Sequence, residues 1–310
     1  MAVRLGDNQY GKAETRLVRI DRGGERHRIT DLAVTTTLAG DLAAAHTSGD
    51  NAGVLPTDSQ KNAVFAFARD GVGEIEDFAL RLARYFVDSQ PAIGRARVGI
   101  EQYGWDRIGV SGGPAPHSFV RTAGTRTATA SYDGTHARVV SGVTDLVVLN
   151  TTGSSFAGYP RDRYTTLPEA ADRILATALT ARWRHATETG TDIGSDSDSG
   201  SDSGSGFDTG GGWATSHRES VRHLLEAFAD TDSKSLQQTL YAMGRRVLEH
   251  RPEVAEIRLS LPNRHHFPVD LDPFGLDNPG EVFFAADRPY GLIEGTVLRD
   301  DAPPAGLAWW

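Results

Sequence analysis

The sequence predicts an α+β fold of two similar modules, each with the element order ββααββ and with helices packed on one face of an antiparallel sheet. Three observations support this prediction. Strand-like segments open each half of the chain, two helix-forming segments follow in each half, and both helix pairs end in a proline-bearing turn before a strand, at Gln90-Pro91 and Arg251-Pro252. We place the modules at residues 1–135 and 136–310.

In the first module, the helices follow from capping and spacing. The first begins with an N-cap at Thr57 or Asp58, because a short oxygen-bearing side chain accepts from the free N–H groups of the first turn, and it covers Lys61 to Ala68. The second has apolar residues at three- and four-residue spacing from Ile75 to Phe86 and ends at Ser89-Gln90-Pro91. The predicted strands are Thr15–Ile20 and Ile29–Thr37, which form a hairpin around Gly23-Gly24, then Arg97–Ile100 and His117–Val120.

The second module repeats this order. Its helices are predicted at Glu219–Ala229 and Leu236–Leu248, and the second of them starts after Thr231-Asp232-Ser233, which repeats the signature Thr57-Asp58-Ser59. The predicted strands are Ala137–Val140, Asp145–Asn150, Glu256–Leu261 and Val282–Ala286.

A Ser/Asp/Gly-rich segment interrupts the second module. The run from Gly194 to Gly206 has no apolar side chain to bury, so we expect a disordered loop at about 190–212. Its regular Asp spacing resembles a calcium loop, but an EF-hand also needs a downstream Glu and flanking helices, and neither is evident.

Composition limits the function classes. The chain has 310 residues and a formal net charge of -9, which disfavours a nucleic-acid partner, while small molecules and further subunits are expected partners. The absence of cysteine excludes disulfides, thiolate nucleophiles, Fe–S clusters and Cys-ligated zinc. No signal-peptide pattern opens the sequence and no apolar stretch is long enough to span a bilayer, so no membrane partner and a cytoplasmic location are expected.

Three polar segments are candidates for chemistry: Tyr10-Gly11-Lys12, Thr57 to Asn62, and Pro262 to Phe267. A lysine, a threonine and a histidine can form a proton-handling chain if folding and assembly bring them together. Lys12 has two interpretations, a solvated charge at a strand entry or a base whose pKa is lowered by desolvation in a cleft. A threonine at a helix N-terminus, such as Thr57, can also receive an anion.

Other candidates gain meaning only as a set. Phe156, Arg173 and Gln237 would each be core filler or solvated surface alone, but together they offer a stacking ring, a guanidinium fork and an amide for a planar anion. His265 and His266, near Asp270, allow a metal site with iron or copper. Neighbours on an extended strand face opposite ways, so this is the weaker interpretation.

In this order, with Asp172-Arg173-Ile174-Leu175 and Ser235-Leu236-Gln237 between them, the motifs resemble the urate oxidases (uricases), a tunnelling-fold (T-fold) family. The resemblance runs from Tyr10 to Gly291-Leu292-Ile293-Glu294. It implies that the family's Asp-Arg-Ile/Leu helix carries Arg173. The catalytic residues it implies are Lys12, Thr57 and His265, and the substrate-binding residues are Thr57, Asp58, Phe156, Arg173, Leu236, Gln237 and Asn263.

The resemblance also assigns roles. Lys12 pairs with Thr57, which a neighbouring subunit contributes. Thr57 and Asp58 thereby complete a neighbour's site, with their backbone N–H groups binding one edge of the purine. Leu236 offers a backbone N–H where other members often have valine. Asn263 holds dioxygen or water above the purine plane, and His265 joins the proton relay.

The implied activity is oxidation of urate by dioxygen and water to 5-hydroxyisourate and hydrogen peroxide, with no cofactor and no metal. The implied assembly is a homotetramer whose sheets line a tunnel with helices outside. Two alternatives stay open: a metal-dependent pterin- or purine-metabolising enzyme of the same architecture, which needs a convergent His set, and a non-catalytic purine-binding oligomer, which does not need Lys12 or His265.

Overall fold

The computed structural model describes residues 2–186, 212–286 and 288–310. The first half of the chain follows the predicted ββααββ order with one short additional helix. Its elements are β1 (Tyr10–Asp21), β2 (Arg28–Gly40), α1 (Ala43–Thr47), α2 (Thr57–Asp70), α3 (Ile75–Ser89), β3 (Ile93–Val110) and β4 (Gly113–Tyr132).

The second half repeats the order, with two short strands inserted before its last main strand. Its elements are β5 (Ala137–Asn150), β6 (Leu175–His185), α4 (Trp213–Asp230), α5 (Leu236–His250), β7 (Val254–Pro262), β8 (His266–Pro268), β9 (Phe283–Ala285) and β10 (Leu292–Leu298). Single turns of 3-10 helix occur at Asp272–Phe274 and Gly306–Trp309.

Both halves contribute to one antiparallel sheet of eight strands in the order β1-β2-β3-β4-β5-β6-β7-β10. The halves join where β4 pairs with β5, from Thr125 opposite Thr144 to Tyr132 opposite Ala137. β8 and β9 pair only with each other, as a separate two-stranded sheet. Within the described residues, β1 and β10 are therefore the free edges of the main sheet.

The four long helices lie on one face of the sheet, above two apolar cores. In the first core, alternate strand residues such as Val34 and Val98 pack against α2 and α3, and in the second, α4 and α5 cover β6, β7 and β10. The intervening residues, such as Thr35 and Glu101, line a cleft on the opposite face. Period-2 alternation therefore separates a helix-covered face from a polar, helix-free face.

A buried polar network joins the two cores. The Glu76 carboxylate on α3 is fully buried and accepts hydrogen bonds from Arg126 on β4 at 2.7 Å and from the Ser141 hydroxyl on β5 at 2.8 Å. Ser141 Oγ also lies 3.2 Å from Nε2 of His185 on β6. Burial raises the pKa of the Glu76 carboxyl. These partners come from both halves, so the network fixes their relative position.

Several predicted elements are confirmed. The N-terminal hairpin is present, the second helix ends at Ser89 as the Ser-Gln-Pro signal indicates, and α5 begins at Leu236. α2 is longer than predicted, because it starts at Thr57 rather than after it.

Three predicted strand segments are strands in the structure but are arranged differently from the prediction. The two strands predicted within residues 137–150 are the single strand β5, which continues past a bulge where Asp145 has φ 55°. Residues 282–286 supply β9 of the small sheet, not the last strand of the main one. That place belongs to β10, which pairs with β7 from Leu292 opposite Pro262 onwards.

The module boundary at 135/136 falls in the turn between β4 and β5 and stays a prediction. The loop predicted at about 190–212 lies outside the described residues, apart from Gly212. Every helix in the described ranges falls short of the length and apolarity that crossing a bilayer requires.

Candidate active site

Lys12 lies on the edge strand β1, next to a β-bulge. The pairing of β1 with β2 shifts register between Lys12 and Thr15, and Glu14 inside the bulge has φ 53°. The Lys12 side chain is half-buried. Bulges redirect side chains at sheet edges, so this local irregularity sets the direction in which Lys12 points.

Thr57 is the first residue of α2, not its N-cap. The N-cap is Pro56, with extended backbone, and it makes no side-chain capping bond. The Asp58 carboxylate does not cap either, because it accepts from Lys61 Nζ at 2.5 Å and from Asn62 Nδ2 at 2.9 Å. The predicted cap was therefore wrong, and within the described ranges no side chain caps the N–H groups that open this helix at its positive end.

Lys12 and the start of α2 lie close together in the same chain. Hydrogen bonding and charge from Lys61 lower the pKa of Asp58, and the charge of Lys12 contributes in the same direction. α2 packs on β1. Lys12, Thr57 and Asp58 therefore form one group, which we call the lysine group.

Arg173 lies in the loop before β6 and not on a helix, so the helix expected for it was wrong. Its guanidinium carbon is 5.1 Å from the centroid of the Phe156 ring. Phe156 is held by a two-residue bridge, in which its N–H donates to Ala170 at 2.8 Å and Ala170 N–H donates back at 3.0 Å. The bridge forces residues 157–169 into a loop and leaves Arg173 beside the ring.

The Arg173 guanidinium is only partly satisfied. Burial lowers its pKa, and its Nε is buried without a hydrogen-bond partner among the described residues. Buried polar atoms in folded proteins are nearly always paired, so this Nε–H is a donor that a ligand can use. A planar anion next to the Phe156 ring would supply that partner.

Leu236 and Gln237 open α5. Leu236 is buried and Gln237 is exposed at the helix start. Ser235 caps this helix, with its hydroxyl accepting from Gln238 N–H at 3.3 Å. The preceding Ser233 accepts from Ser155 N–H at 2.7 Å, which ties the start of α5 to the Phe156 loop.

Asn263 and His265 follow the end of β7. Asn263 forms an isolated antiparallel β-bridge with Thr177 on β6, and the N–H of Arg264 donates to the carbonyl oxygen of Ala176 at 2.8 Å. His265 precedes β8 and is half-buried. Burial and then the charge of Arg173 lower the pKa of the His265 imidazole, so its neutral form is favoured next to the guanidinium.

These contacts join the Phe156 loop, the segment before β6, the start of α5 and the end of β7. We call the residues gathered there the arginine group: Phe156, Arg173, Leu236, Gln237, Asn263 and His265. The lysine group is on β1, and the end of β7 lies six strands away in sheet order. At about 4.8 Å per strand this is roughly 29 Å along the sheet, so the strand order does not place the two groups side by side.

The sequence analysis did not identify Tyr159, which stacks on Phe156 with ring centroids 4.8 Å apart and planes 16° apart. Only its aromatic character three residues after Phe156 signals it. The metal interpretation gains no support, because no cluster of three or more His, Asp or Glu side chains in the described part of the chain is arranged to hold an ion. His266 instead begins β8, with Nδ1 3.0 Å from Arg264 O.

Comparisons with known proteins agree over nearly the whole chain. A family model described as uricase matches residues 8–130 and 139–294. A uricase from Arthrobacter globiformis is 50% identical over 307 residues, covering 98% of this chain and 93% of that protein. A uricase from Dictyostelium discoideum is 33% identical over 301 residues, covering 95% and 97%. The crystal structure of the Arthrobacter globiformis uricase superposes with a TM-score of 0.86 at 48% identity, covering 100% of this chain and 99% of that one.

Proposed function

This chain belongs to the uricase family, and we propose that it is a urate oxidase, which converts urate, dioxygen and water to 5-hydroxyisourate and hydrogen peroxide. The observation that carries the proposal is the Arg173 guanidinium, held 5.1 Å from the Phe156 ring, with its Nε buried and without a hydrogen-bond partner in the part of the chain that the structure describes. The family membership favours this activity over a metal-dependent pterin enzyme and over a purine-binding oligomer without catalysis.

The arginine group binds the purine in this proposal. Urate is a planar anion with carbonyl and N–H edges, so the Phe156 ring stacks on its face and Arg173 donates to its oxygen edge. The Gln237 amide both donates and accepts, which suits an edge that alternates these groups. The backbone N–H of Leu236 is a further donor, because the first N–H groups of a helix have no partner within the helix.

The lysine group completes the site from a neighbouring subunit. β1 and β10 are long free edges, and a second copy that covers them would keep them from uncontrolled pairing. Because Lys12 lies beside α2 of its own chain, we propose that Lys12, Thr57 and Asp58 enter the neighbour's site together. The homotetramer implied by the resemblance provides such neighbours.

The chemistry uses no cofactor in this proposal. The Lys12–Thr57 relay removes a proton from urate, which makes the purine electron-rich enough to pass one electron to dioxygen. Oxygen then bonds to C5, and hydrogen peroxide leaves with the two electrons and two protons taken from urate. Water adds to the resulting dehydrourate at C5 to give 5-hydroxyisourate. The protein supplies orientation and charge placement.

Asn263 and His265 act on the oxygen side of the purine. The Asn263 amide can both donate to dioxygen and accept from water. Because burial and Arg173 favour neutral His265, its imidazole can accept a proton from the attacking water and pass it on. Neither role needs a metal ligand.

The activity is tested by the ultraviolet absorbance of urate and by peroxide detection, with chelator-treated, metal-analysed protein. We expect urate decay with one peroxide per urate. Binding of urate without turnover would favour the purine-binding alternative. Turnover only after metal is added would overturn the cofactor-free mechanism.

The shared site is tested by mixing inactive variants. Lys12→Met and Arg173→Ala subunits, unfolded together and refolded, should regain roughly a quarter of wild-type activity, since half the pairs are mixed and each mixed pair has one intact site. The matched control mixes Lys12→Met with Thr57→Ala, which should give no recovery if the lysine group moves as a unit. Recovery in that control would mean that Lys12 and Thr57 reach a site from different subunits.

A further inference from the structure

The lysine group is held together by a buried hydrogen-bond chain that begins at Thr36. Thr36 lies opposite Lys12 on β2 and is 1% exposed. Its hydroxyl accepts from the Lys12 N–H at 3.3 Å and donates to Oε1 of Gln60 at 2.7 Å. One hydroxyl therefore connects the backbone of β1 at Lys12 to a side chain of α2.

The β-bulge explains why a side chain makes this bond. The register shift after Lys12 leaves backbone N–H groups without ladder partners, and hydroxyls replace the missing carbonyls: Thr36 for Lys12, and Thr35 for Glu14 at 3.0 Å. The strands approach closely here, since a Cβ on Gly11 would lie 1.8 Å from the Thr36 carbonyl oxygen. The position of Lys12 therefore depends on Thr36.

Gln60 continues the chain to the start of the helix. It lies three residues after Thr57 and is fully buried. Its Nε2 is 3.4 Å from the carbonyl oxygen of Leu55, two residues before Thr57, and this oxygen also accepts from the Tyr10 hydroxyl at 3.0 Å. Hydrogen bonds therefore run from Lys12 through Thr36, Gln60 and Leu55 to Tyr10, and the backbone from Tyr10 to Lys12 closes the circuit.

We propose that Thr36 and Gln60 are positioning residues, which fix the distance between Lys12 and Thr57 so that a proton can pass between them. This inference rests on the proposed function. Two apolar side chains could fill the same space, and burying an amide and a hydroxyl is favourable only when both are paired. A satisfied polar pair also permits few alternative geometries, which is what a proton relay requires.

The expected defect is in turnover and not in urate binding. Thr36→Val keeps the side-chain shape but removes the hydroxyl, so the Lys12 N–H loses its acceptor and Gln60 loses its donor. Small misplacements at a reacting centre lower rates strongly, so we expect kcat to fall about tenfold or more. Urate KM should stay within about twofold, because the arginine group provides most of the binding.

The experiment compares Thr36→Val with Thr36→Ser and with Thr15→Val. Thr36→Ser keeps the hydroxyl and should restore most of the turnover. Thr15→Val is the matched control, because Thr15 is also a buried threonine, on the neighbouring strand β1, and its hydroxyl has no hydrogen-bond partner among the described residues. The solvent deuterium isotope effect on kcat should rise only in Thr36→Val, because proton transfer becomes more rate-limiting.

The outcomes distinguish a failure of this proposal from a failure of the proposed function. If wild-type protein does not oxidise urate, the proposed function fails before any variant is compared. If wild-type turns over and Thr36→Val keeps its kcat and isotope effect, the positioning role is wrong. If Thr36→Val does not fold, Tyr10→Phe is the second variant, because it removes the half-buried hydrogen bond to the Leu55 carbonyl at the other end of the same chain of contacts. It should show a smaller loss of kcat of the same kind. Wild-type kcat and isotope effect in Tyr10→Phe would also overturn the positioning role.

Discussion

Arg173 combines a buried donor that lacks a partner among the described residues with a position beside the Phe156 ring. Its guanidinium is partly desolvated, and its Nε has no partner in the described structure. Leaving a buried donor unpaired costs about 1–3 kcal/mol. An anion stacked on Phe156 would accept from this donor and recover that free energy. The contribution of Arg173 to binding affinity would then be larger than its exposed surface indicates.

Arg173→Lys should raise the urate KM about tenfold or more, because an ammonium group cannot present the planar fork. Arg173→Met should also lose urate affinity, yet its free energy of unfolding should equal or exceed that of the wild type, since the unpaired donor is gone. Urate titration and urea unfolding measure the two effects. The control is Arg264→Lys on the exposed neighbouring loop, and equal losses in both positions would argue against a special role for Arg173.

His185 and His217 make stability depend on pH. Burial, and then the charge of Arg251, lower the pKa of His185 from its ordinary 6.5 to about 3. Burial and then Arg126 lower the pKa of His217 to about 3, against the opposing hydrogen bond to Gly142. Between pH 6.5 and about pH 3 the unfolded chain binds a proton at each of these histidines that the folded chain does not. Stability is therefore full above about pH 6.5 and falls with acidification towards pH 3.

The free energy of unfolding should fall by about 1.4 kcal/mol per pH unit for each of these histidines inside that window. His217→Asn should therefore reduce the number of protons taken up on unfolding by about one, so that the free energy of unfolding depends less steeply on pH. Urea midpoints between pH 7.5 and 4.5, at one protein concentration, measure it. An unchanged slope in the variant would show that His217 does not titrate on unfolding.

At the scale of elements, the two helices that open at the site differ in how they start. Ser235 caps α5, but Pro56 precedes α2 without a side-chain cap. Among the described residues no side chain caps the first N–H groups of α2, which agrees with the proposed role of Thr57 and these N–H groups at the substrate.

Ser235→Ala should lower the free energy of unfolding by about 1 kcal/mol, as the loss of a cap usually does. Thr57→Ala should change stability by only a few tenths of a kcal/mol and yet abolish most turnover, because its hydroxyl caps nothing. Thermal melts and urate assays on both variants give the comparison. A stability loss in Thr57→Ala as large as that in Ser235→Ala would restore the capping role predicted from the sequence.

These elements also show what the sequence can predict. The 3.6-residue period of Ile75 to Phe86 and the Ser-Gln-Pro stop specify α3, because both signals are local. The strands β6 and β10 lack such signals: β6 is buried along most of its length, so it does not alternate, and β10 is defined by its pairing with β7. The cap on α2 failed because a side-chain contact, Lys61 on Asp58, competes for the same carboxylate.

The site itself was predictable as a list of residues but not as a shape. Motif order indicated that Lys12 and Arg173 belong to one function. The resemblance implied a site shared between subunits, but the motifs did not indicate that, within one chain, the two groups are separated by the width of the sheet, since that follows from strand order alone. Nor did they indicate Thr36, whose role depends on a bulge that no local pattern marks.

At the scale of the whole molecule, the C-terminal tail spans the helix-free face of the sheet. Arg258 lies over the Trp309 ring at 3.9 Å and Arg95 over the Trp310 ring at 4.5 Å, while Arg97 donates to the Trp310 carbonyl oxygen. Both tryptophans line a cleft of about 320 Å³ with strand residues of both halves. The tail therefore packs on the sheet far from the helices that cover its other face.

Truncation after Ala308 should lower the free energy of unfolding by about 2–4 kcal/mol per subunit, since two half-buried aromatic rings and their cation–π contacts are lost. Neither tryptophan belongs to the lysine or arginine group, so urate turnover at low temperature should persist. The matched control is Tyr164→Ala, which removes an exposed ring that stacks with Arg163 at 4.5 Å and should change stability little. A truncated protein with a wild-type melting temperature would mean that the tail adds nothing to the fold, and a folded one without turnover would place the tail in the active site.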